Sequence, residues 1–323
     1  MYQIPVILIR YRRMTDRQKG LGALAVVLVA WSFSTPVVKY LMPYYDPWTQ
    51  NVYRYAAGML TLLPLLVLRV RRMPGQLSGR TLLRLLVPTV PNIVQQTGWV
   101  VALLWIYPAL AAFLNKSSVL FAALMAYFLF PEERWLFRSH RFIGGLALSL
   151  AGTLALALWR PDLDKMQINL GILLVLTSAA GWACYSVAAK RPAEELGSTV
   201  SFAVVSIYST AAFVPMALAW GDLGHWRAVP WQVNAIMIVS GILCVGLAHT
   251  LYFYAIKKLS VSVCATMMLA TPLGAMTLSW WMFGERLTGG QWVGGLMLLA
   301  GGALTLLAKE KPLPAELTQA AEI

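Results

Sequence analysis

Ala30-Trp31-Ser32-Phe33-Ser34-Thr35-Pro36-Val37-Val38-Lys39 returns in outline as Gly181-Trp182-Ala183-Cys184-Tyr185-Ser186-Val187-Ala188-Ala189-Lys190, with Trp on Trp and Lys on Lys at a spacing of 151 residues. A second correspondence sits further along each copy. Phe130-Pro131-Glu132-Glu133-Arg134 meets Trp281-Met282-Phe283-Gly284-Glu285-Arg286, pairing the Glu-Arg dipeptides at a spacing of 152, and double glycines follow, Gly144-Gly145 and Gly294-Gly295. The chain therefore reads as two related halves, 20–160 and 161–308, between tails 1–19 and 309–323.

Composition says what each half is made of. Of 323 residues 59% are hydrophobic and 12% charged, with a mean hydropathy of +0.66, more apolar surface than a water-soluble domain of this length hides. Runs of roughly 18 to 25 apolar residues, enough to cross about 30 Å of hydrocarbon at 1.5 Å per residue, recur throughout. They are placed at Leu21 to Val38, Trp48 to Leu68, Leu85 to Ile106, Ala109 to Phe130, Phe142 to Trp159, Leu170 to Ala189, Val200 to Trp220, Val233 to Ile256, Val261 to Phe283 and Trp292 to Ala308. The expected fold is an all-α polytopic membrane protein of ten transmembrane helices. Five spans per half is an odd number, so the two repeats are expected to be inverted relative to each other.

The net charge of +13 and pI near 9.9 read as a topology signal, not as a nucleic-acid surface. Nineteen of the 26 Lys and Arg residues fall in tails and loops on the side of the N-terminus, and Lys39, Arg160, Lys165, Arg227 and Arg286 fall on the other. Basic residues concentrate on the cytoplasmic side, so both termini are expected there, in an inner membrane. Cys184, Cys244 and Cys264 all lie within spans and read as small packing residues. The short apolar piece Ile4 to Ile9 precedes its arginines, the wrong order for a cleaved signal peptide, and Met14 is an alternative start. From Lys309 onward the chain reads as a polar tail.

At the repeat residues the chain resembles the EamA-type members of the drug/metabolite transporter superfamily. The likeness covers about residues 20 to 308 and rests on Tyr53-Arg54-Tyr55, on Phe283-Gly284-Glu285-Arg286-Leu287, and on Gln291-Trp292-Val293-Gly294-Gly295-Leu296 with Leu299-Ala300-Gly301-Gly302. In the first half Pro131 stands where the family usually has Gly. The resemblance implies transport, with spans one to four and six to nine enclosing a central cavity and spans five and ten outside it. It leaves the substrate open among amino acids, nucleosides, drugs and other metabolites.

Energetics single out residues independently of that likeness. A charged side chain near mid-bilayer costs about 2.5 to 3.5 kcal/mol on insertion scales, so an embedded cation needs an escape or a partner. Arg54 lies about 9 Å and Lys116 about 12 Å below the outer ends of their spans. No Asp or Glu falls within any expected span, so a substrate carboxylate or phosphate is one available counter-anion. The competing account is that such side chains snorkel to the headgroups or donate to backbone carbonyls of a kinked neighbour. An Arg at position 54 is a family feature, which favours that account for it. Lys116 and Asn115 correspond to Met268 and Met267 in the second half, so the repeat symmetry breaks where polar groups enter.

Asn92, Gln95, Gln96 and Trp99 stand at i, i+3, i+4 and i+7, one stripe of a helix. Gln50, Arg54, Ala57 and Thr61 form a comparable line. The stripe faces either a polar cavity or neighbouring helices that it hydrogen-bonds, and Pro88 and Pro91 free backbone groups beside it. Trp31, Trp182, Tyr185 and Tyr252 are aromatic candidates for the site, each with packing as the alternative. His249 is the only histidine inside a span, read as a hydrogen-bonded neutral ring or as a proton sensor.

An enzyme needs a paired nucleophile and base or a metal cluster, and His249 and the three cysteines have no such spacing. No filter motif of a channel is visible. The reading is a secondary carrier, without cofactor, for a small anionic or zwitterionic metabolite, an amino acid or related carboxylate first. Phosphorylated or nucleotide-type cargo and a lipid-linked flippase are the alternatives. Its partners are the small-molecule substrate and the lipid bilayer, without nucleic acid, as a monomer or homodimer. Cysteines introduced at Ser78 and Ser139 are expected to be shielded from an impermeant thiol reagent in intact cells, and those at Asp162 and Gly221 to react. Labelling of Ser78→Cys from outside reverses the orientation.

Overall fold

Inside a bilayer a backbone must satisfy its own polar groups, and a helix does so within one segment. The structure is a computed structural model that describes residues 15–73, 75, 77–102, 115–159, 170–283 and 288–307. The tails, Arg160, Lys165, the Glu285-Arg286 pair and the junction of the third and fourth spans at 103–114 lie outside the described residues. So do the side chains of Lys39 and Glu133.

Ten helices carry the described chain: α1 (Asp16–Leu41), α2 (Pro47–Arg72), α3 (Leu86–Ala102), α4 (Ser118–Leu129), α5 (His140–Leu158), α6 (Leu170–Leu196), α7 (Ser198–Trp220), α8 (Trp231–Lys258), α9 (Val261–Met267 and Thr271–Phe283) and α10 (Gly289–Leu306). A short helical turn, Gly79–Arg84, leads into α3. Among the described residues α1, α2, α6, α7 and α8 are long and apolar enough to cross a membrane by length and composition.

The boundaries have local causes. Asp46 caps α2 by accepting from Thr49 N at 2.9 Å, with Pro47 at the first helical position where its missing N–H costs nothing. Ser139 and Ser260 cap α5 and α9 in the same way. Between α6 and α7 a single residue, Gly197 at φ +87, makes the turn in the left-handed region that favours glycine. Two expectations need correction here. The sixth span does not end at Ala189 but continues through Pro192 to Leu196. Lys190 is therefore not a loop residue: it is 5% exposed, with its ammonium 4.1 Å from the Phe130 ring centroid. A cation over an aromatic face gives up less on leaving water than a bare one.

The most extensive helix interfaces nearly all join one half of the chain to the other: α5 with α10, α3 with α6, α2 with α7, α1 with α8 and α9, and α4 with α6 and α9. Such a pattern follows from a two-fold relation, since α3–α6 maps onto α8–α1 and α4–α6 onto α9–α1. One end of the bundle is tied by Lys258 to Asp16 at 2.7 Å. At the other, Asp222 N donates to Asp46 Oδ2 (3.0 Å) and Thr49 Oγ1 (3.1 Å), Tyr53 donates to Leu223 O (2.6 Å), and Tyr45 donates to Asn234.

Small residues set the α5–α10 contact. A Cβ on Gly145 would lie 2.6 Å from Gly301 O and 2.8 Å from Thr305 N, and one on Gly152 would lie 2.6 Å from Gly294 O. Lipid is as apolar as the side chains, so this close backbone approach, not hydrophobic burial, holds the pair. Gly144, the other half of that double glycine, meets nothing within 4 Å. Gly145→Val is therefore expected to lower stability by about 1–3 kcal/mol, the usual cost of overpacking, and Gly144→Val to leave it within about 0.5 kcal/mol. Thermal unfolding in detergent compares the two, and equal midpoints would remove the glycine contact as the basis of the pairing.

Candidate functional site

Trp31 of α1 and Trp182 of α6, the repeat-related pair, meet edge to face with ring centroids 5.1 Å apart at 78°. His249 and Tyr252, at i and i+3, present one face of α8 to them. His249 lies 5.1 Å and Tyr252 5.3 Å from Trp31, centroid to centroid, and Tyr252 lies 5.5 Å from Trp182. Phe202 of α7 stacks flat on His249 at 4.8 Å and 9°. Edge-to-face rings place a positive rim on a negative face, which orients the cluster as well as filling it. Its polar atoms are paired: the Tyr185 hydroxyl is 2.8 Å from His249 Nδ1, and Tyr252 donates to Ser186 Oγ at 3.0 Å.

Beside this cluster α8 is underwound into a π-turn, Gly241–Leu247. Inserted turns of this kind disturb the regular ladder and recur at functional sites. Here the Trp31 indole N–H donates to Cys244 O at 2.9 Å, and the Cys244 thiol donates to Ala30 O at 3.2 Å. Glycines let α2 approach the same turn: a Cβ on Gly58 would lie 2.8 Å from Gly246 N, and one on Gly241 2.5 Å from Arg54 O. The approach carries Arg54 inward, where its guanidinium donates to Ser34 Oγ at 2.6 Å and lies beside Cys244. Arg54 thus bonds to α1 within the bundle and does not reach up to a headgroup. Its Nε is buried and meets no acceptor among the described residues.

The stripe on α3 divides. Asn92 is a node, fully buried, accepting from Tyr55 OH at 3.2 Å and Gln95 Nε2 at 3.3 Å while donating to Ser209 Oγ at 2.9 Å. Gln96 donates to Tyr55 OH at 3.0 Å. Ser178 of α6 donates to Gln95 O at 2.7 Å, where Gly98 and Gly181 permit the helices to close. These amides knit α2, α3, α6 and α7 together. Trp99 stands apart, packed with Ile172, Leu174 and Val175. On α2 the line also ends early: Thr61 is exposed, and its hydroxyl returns to Ala57 O at 2.8 Å.

Asn115 and Lys116 occupy a 3₁₀ turn, Asn115–Ser117, at the entry to α4. A matching turn, Met268–Ala270, interrupts α9. The two meet, with Lys116 Nζ 3.4 Å from Met268 O. Asn115 Oδ1 is buried and meets no donor among the described residues. Ser32, next to Trp31, has its Oγ 3.3 Å from Thr271 O, which sets the α9 break beside the turn of α1 that carries Trp31.

The fold therefore gathers Trp31, Trp182, Tyr185, His249 and Tyr252 in one cluster, sets Arg54 beside Cys244 of the π-turn, and sets Lys116 at Met268 O of the α9 break. It leaves Trp99 out. Two cavities flank α8, one of about 440 Å³ between Tyr53, Ala57 and Trp226, and one of about 290 Å³ between Phe33, Ile236 and Cys244. Ser34, Ser186, Phe202, Ser209 and the two helix irregularities in α8 and α9 were not singled out from sequence. Pro272, which disfavours helix at the residue before it, marks the α9 break, and Gly241 with Gly246 marks the π-turn. Among the described residues no group of three or more His, Cys, Asp or Glu is placed to hold a metal.

Comparison with known proteins agrees with this architecture. The EamA-like transporter family matches residues 18–158 and 169–307, once in each half. An uncharacterized transporter of Archaeoglobus fulgidus is 24% identical over 286 residues, 87% of this chain and 95% of that protein. A second from the same organism is 27% identical over 136 residues, and the match covers 47% of its length. The uncharacterized transporter YwfM of Bacillus subtilis is 26% identical over 171 residues, 57% of its length. A crystal structure that covers 89% of this chain and 96% of its own superposes with a TM-score of 0.73 at 17% identity, a likeness of fold. Two family matches that together take in most of the chain identify it as a multi-pass membrane protein of the EamA-like transporter family, a family of transporters and not of enzymes.

Proposed function

We propose that this transporter is a secondary carrier for a small anionic or zwitterionic metabolite, an amino acid or related carboxylate, and works by alternating access in a cytoplasmic membrane with both termini inside. The observation that carries the reading is the pair Arg54 and Lys116. Both cations lie within the bundle with neutral partners, Ser34 Oγ and the Cys244 thiol for Arg54 and Met268 O for Lys116, and with no carboxylate paired to either among the described residues. An embedded cation left with a neutral partner keeps much of its desolvation cost, and an anionic cargo would offset it. The aromatic cluster between them supplies a rigid, polarizable wall for the rest of the cargo. Asn115 Oδ1, an acceptor without a donor among the described residues, suits a cargo that also carries an ammonium.

A thermal-shift screen against metabolite pools, followed by uptake into proteoliposomes, tests this. Cargo at 100 times its Kd is expected to add about 2.7 kcal/mol of stability. Lys116→Ala is expected to weaken binding at least about tenfold while the protein stays folded, the loss of one charge-assisted contact. Movement is expected to be downhill or by exchange, because the acidic residues lie outside the spans as read from sequence. Uphill accumulation driven by a pH gradient, surviving His249→Gln but abolished by Glu133→Gln or Glu285→Gln, contradicts that mechanism. Native affinity in the Lys116 variant removes the assignment of the site.

A further inference from the structure

A 3₁₀ turn, Asn115–Ser117, stands at the entry to α4, and a second, Met268–Ala270, at nearly the equivalent place in the other half, breaks α9. A break in a membrane helix frees backbone groups that need partners inside the protein. The α9 break receives one from the opposite half: Lys116 Nζ lies 3.4 Å from Met268 O, a carbonyl that also accepts from Thr271 Oγ1 at 2.8 Å. The arrangement is one-sided. In the repeat the position of Lys116 is taken by Met268 itself, whose thioether has no proton to donate, so no equivalent side-chain bond can run from α9 to the turn at the entry to α4.

We propose that the Lys116 ammonium is a latch between the two halves, holding the α9 break closed in the empty carrier and letting go of it when an anionic group of the cargo takes the ammonium instead. The proposal rests on the transport reading above and assigns Lys116 a second role at the same site, as a positioning residue for the movement of α9.

Geometry and chemistry both make the latch releasable. At 3.4 Å the contact is beyond the usual N–H···O range, whereas an ammonium–carboxylate bond is shorter and about twice as strong as a neutral one. Release leaves no orphan, because Met268 O keeps Thr271. The freed segment packs beside the aromatic centre: a Cβ on Gly274 would lie 2.7 Å from Ser32 Cβ, so α9 sits directly on the turn of α1 that carries Trp31, and Ser32 Oγ, whose proton goes to Leu28 O at 2.7 Å, lies 3.3 Å from Thr271 O. Without an equivalent bond on α4 the two halves are not held alike.

Hydrogen exchange of the empty carrier in nanodiscs reads the latch without any cargo. Native protein, Lys116→Met and Lys116→Arg are compared at the amides of Leu269, Ala270, Thr271, Leu273 and Gly274, with α7 as internal control. Lys116→Met is expected to exchange about tenfold faster there, and Lys116→Arg, which keeps charge and reach, to exchange like the native protein. Native-like exchange in Lys116→Met, or equally fast exchange in both variants, overturns the latch whatever the carrier transports. In a second arm alanine, glutamate and inorganic phosphate are each added at saturating concentration to the native protein. Faster exchange at the same amides with at least one of them, absent in Lys116→Met, is the expected release. No change with all three overturns the release step while leaving the transport assay to judge the transport reading on its own.

Discussion

Polar groups that leave water for hydrocarbon must find their partners within the protein, and most of the described structure can be understood as the consequence. Hydroxyls along the helices return to their own backbone, as Thr61 does to Ala57 O, Thr89 to Leu85 O and Thr250 to Gly246 O, each at 2.7–2.8 Å. Amides that cannot do so bond between helices, and Asn92 joins three of them at one point. Even the irregular turns are provided for: the π-turn in α8 receives the Trp31 indole, and the break in α9 receives Lys116 and Thr271. Against so thorough an accounting the exceptions become informative. Gln50 Oε1, Asn51 Nδ2, Arg54 Nε and Asn115 Oδ1 are buried without partners among the described residues; three of them lie on α2, and the fourth on the turn that carries Lys116.

The same constraint explains why the site lies between the halves. Neither half buries its polar face alone, and the interfaces that close the bundle run from one half to the other. Residues retained in both copies then meet at the two-fold, as Trp31 meets Trp182. Residues that differ between the copies make the two sides unequal there. Lys116 opposite Met268 and His249 with its Phe202 stack are of this second kind.

Much of the fold was legible in the sequence because hydropathy and repetition are direct readings of burial in lipid. Span starts came within a few residues wherever a cap or a proline fixed them, as at Asp46 and Ser260. The continuation of α6 past Ala189 was not legible, since Lys190 reads as a span end until Phe130 is seen beneath its ammonium. At the site, sequence spacing found the polar stripe of α3 but could not decide what it faces. The side chains of Asn92 and Gln96 prove to be engaged with Tyr55 and Ser209, both distant in sequence, while Gln95 donates to Asn92. Trp99 shared the spacing and not the neighbourhood, because the seventh position along the stripe has already passed the cluster. The broken symmetry at Lys116 singled out that residue from sequence. Which carbonyl it meets depends on helix breaks that periodicity does not encode.

The central claim is that Lys116 meets the negative group of the cargo, and a double cycle on protein and ligand measures it most directly. Binding of a cargo acid and of its neutral carboxamide is compared in the native carrier and in Lys116→Met. The account predicts that the native protein prefers the acid by about tenfold or more, a coupling of about 1.4 kcal/mol, and that the variant has lost the preference. An equal preference for the acid in both proteins would place the recognition of charge elsewhere and contradict the account.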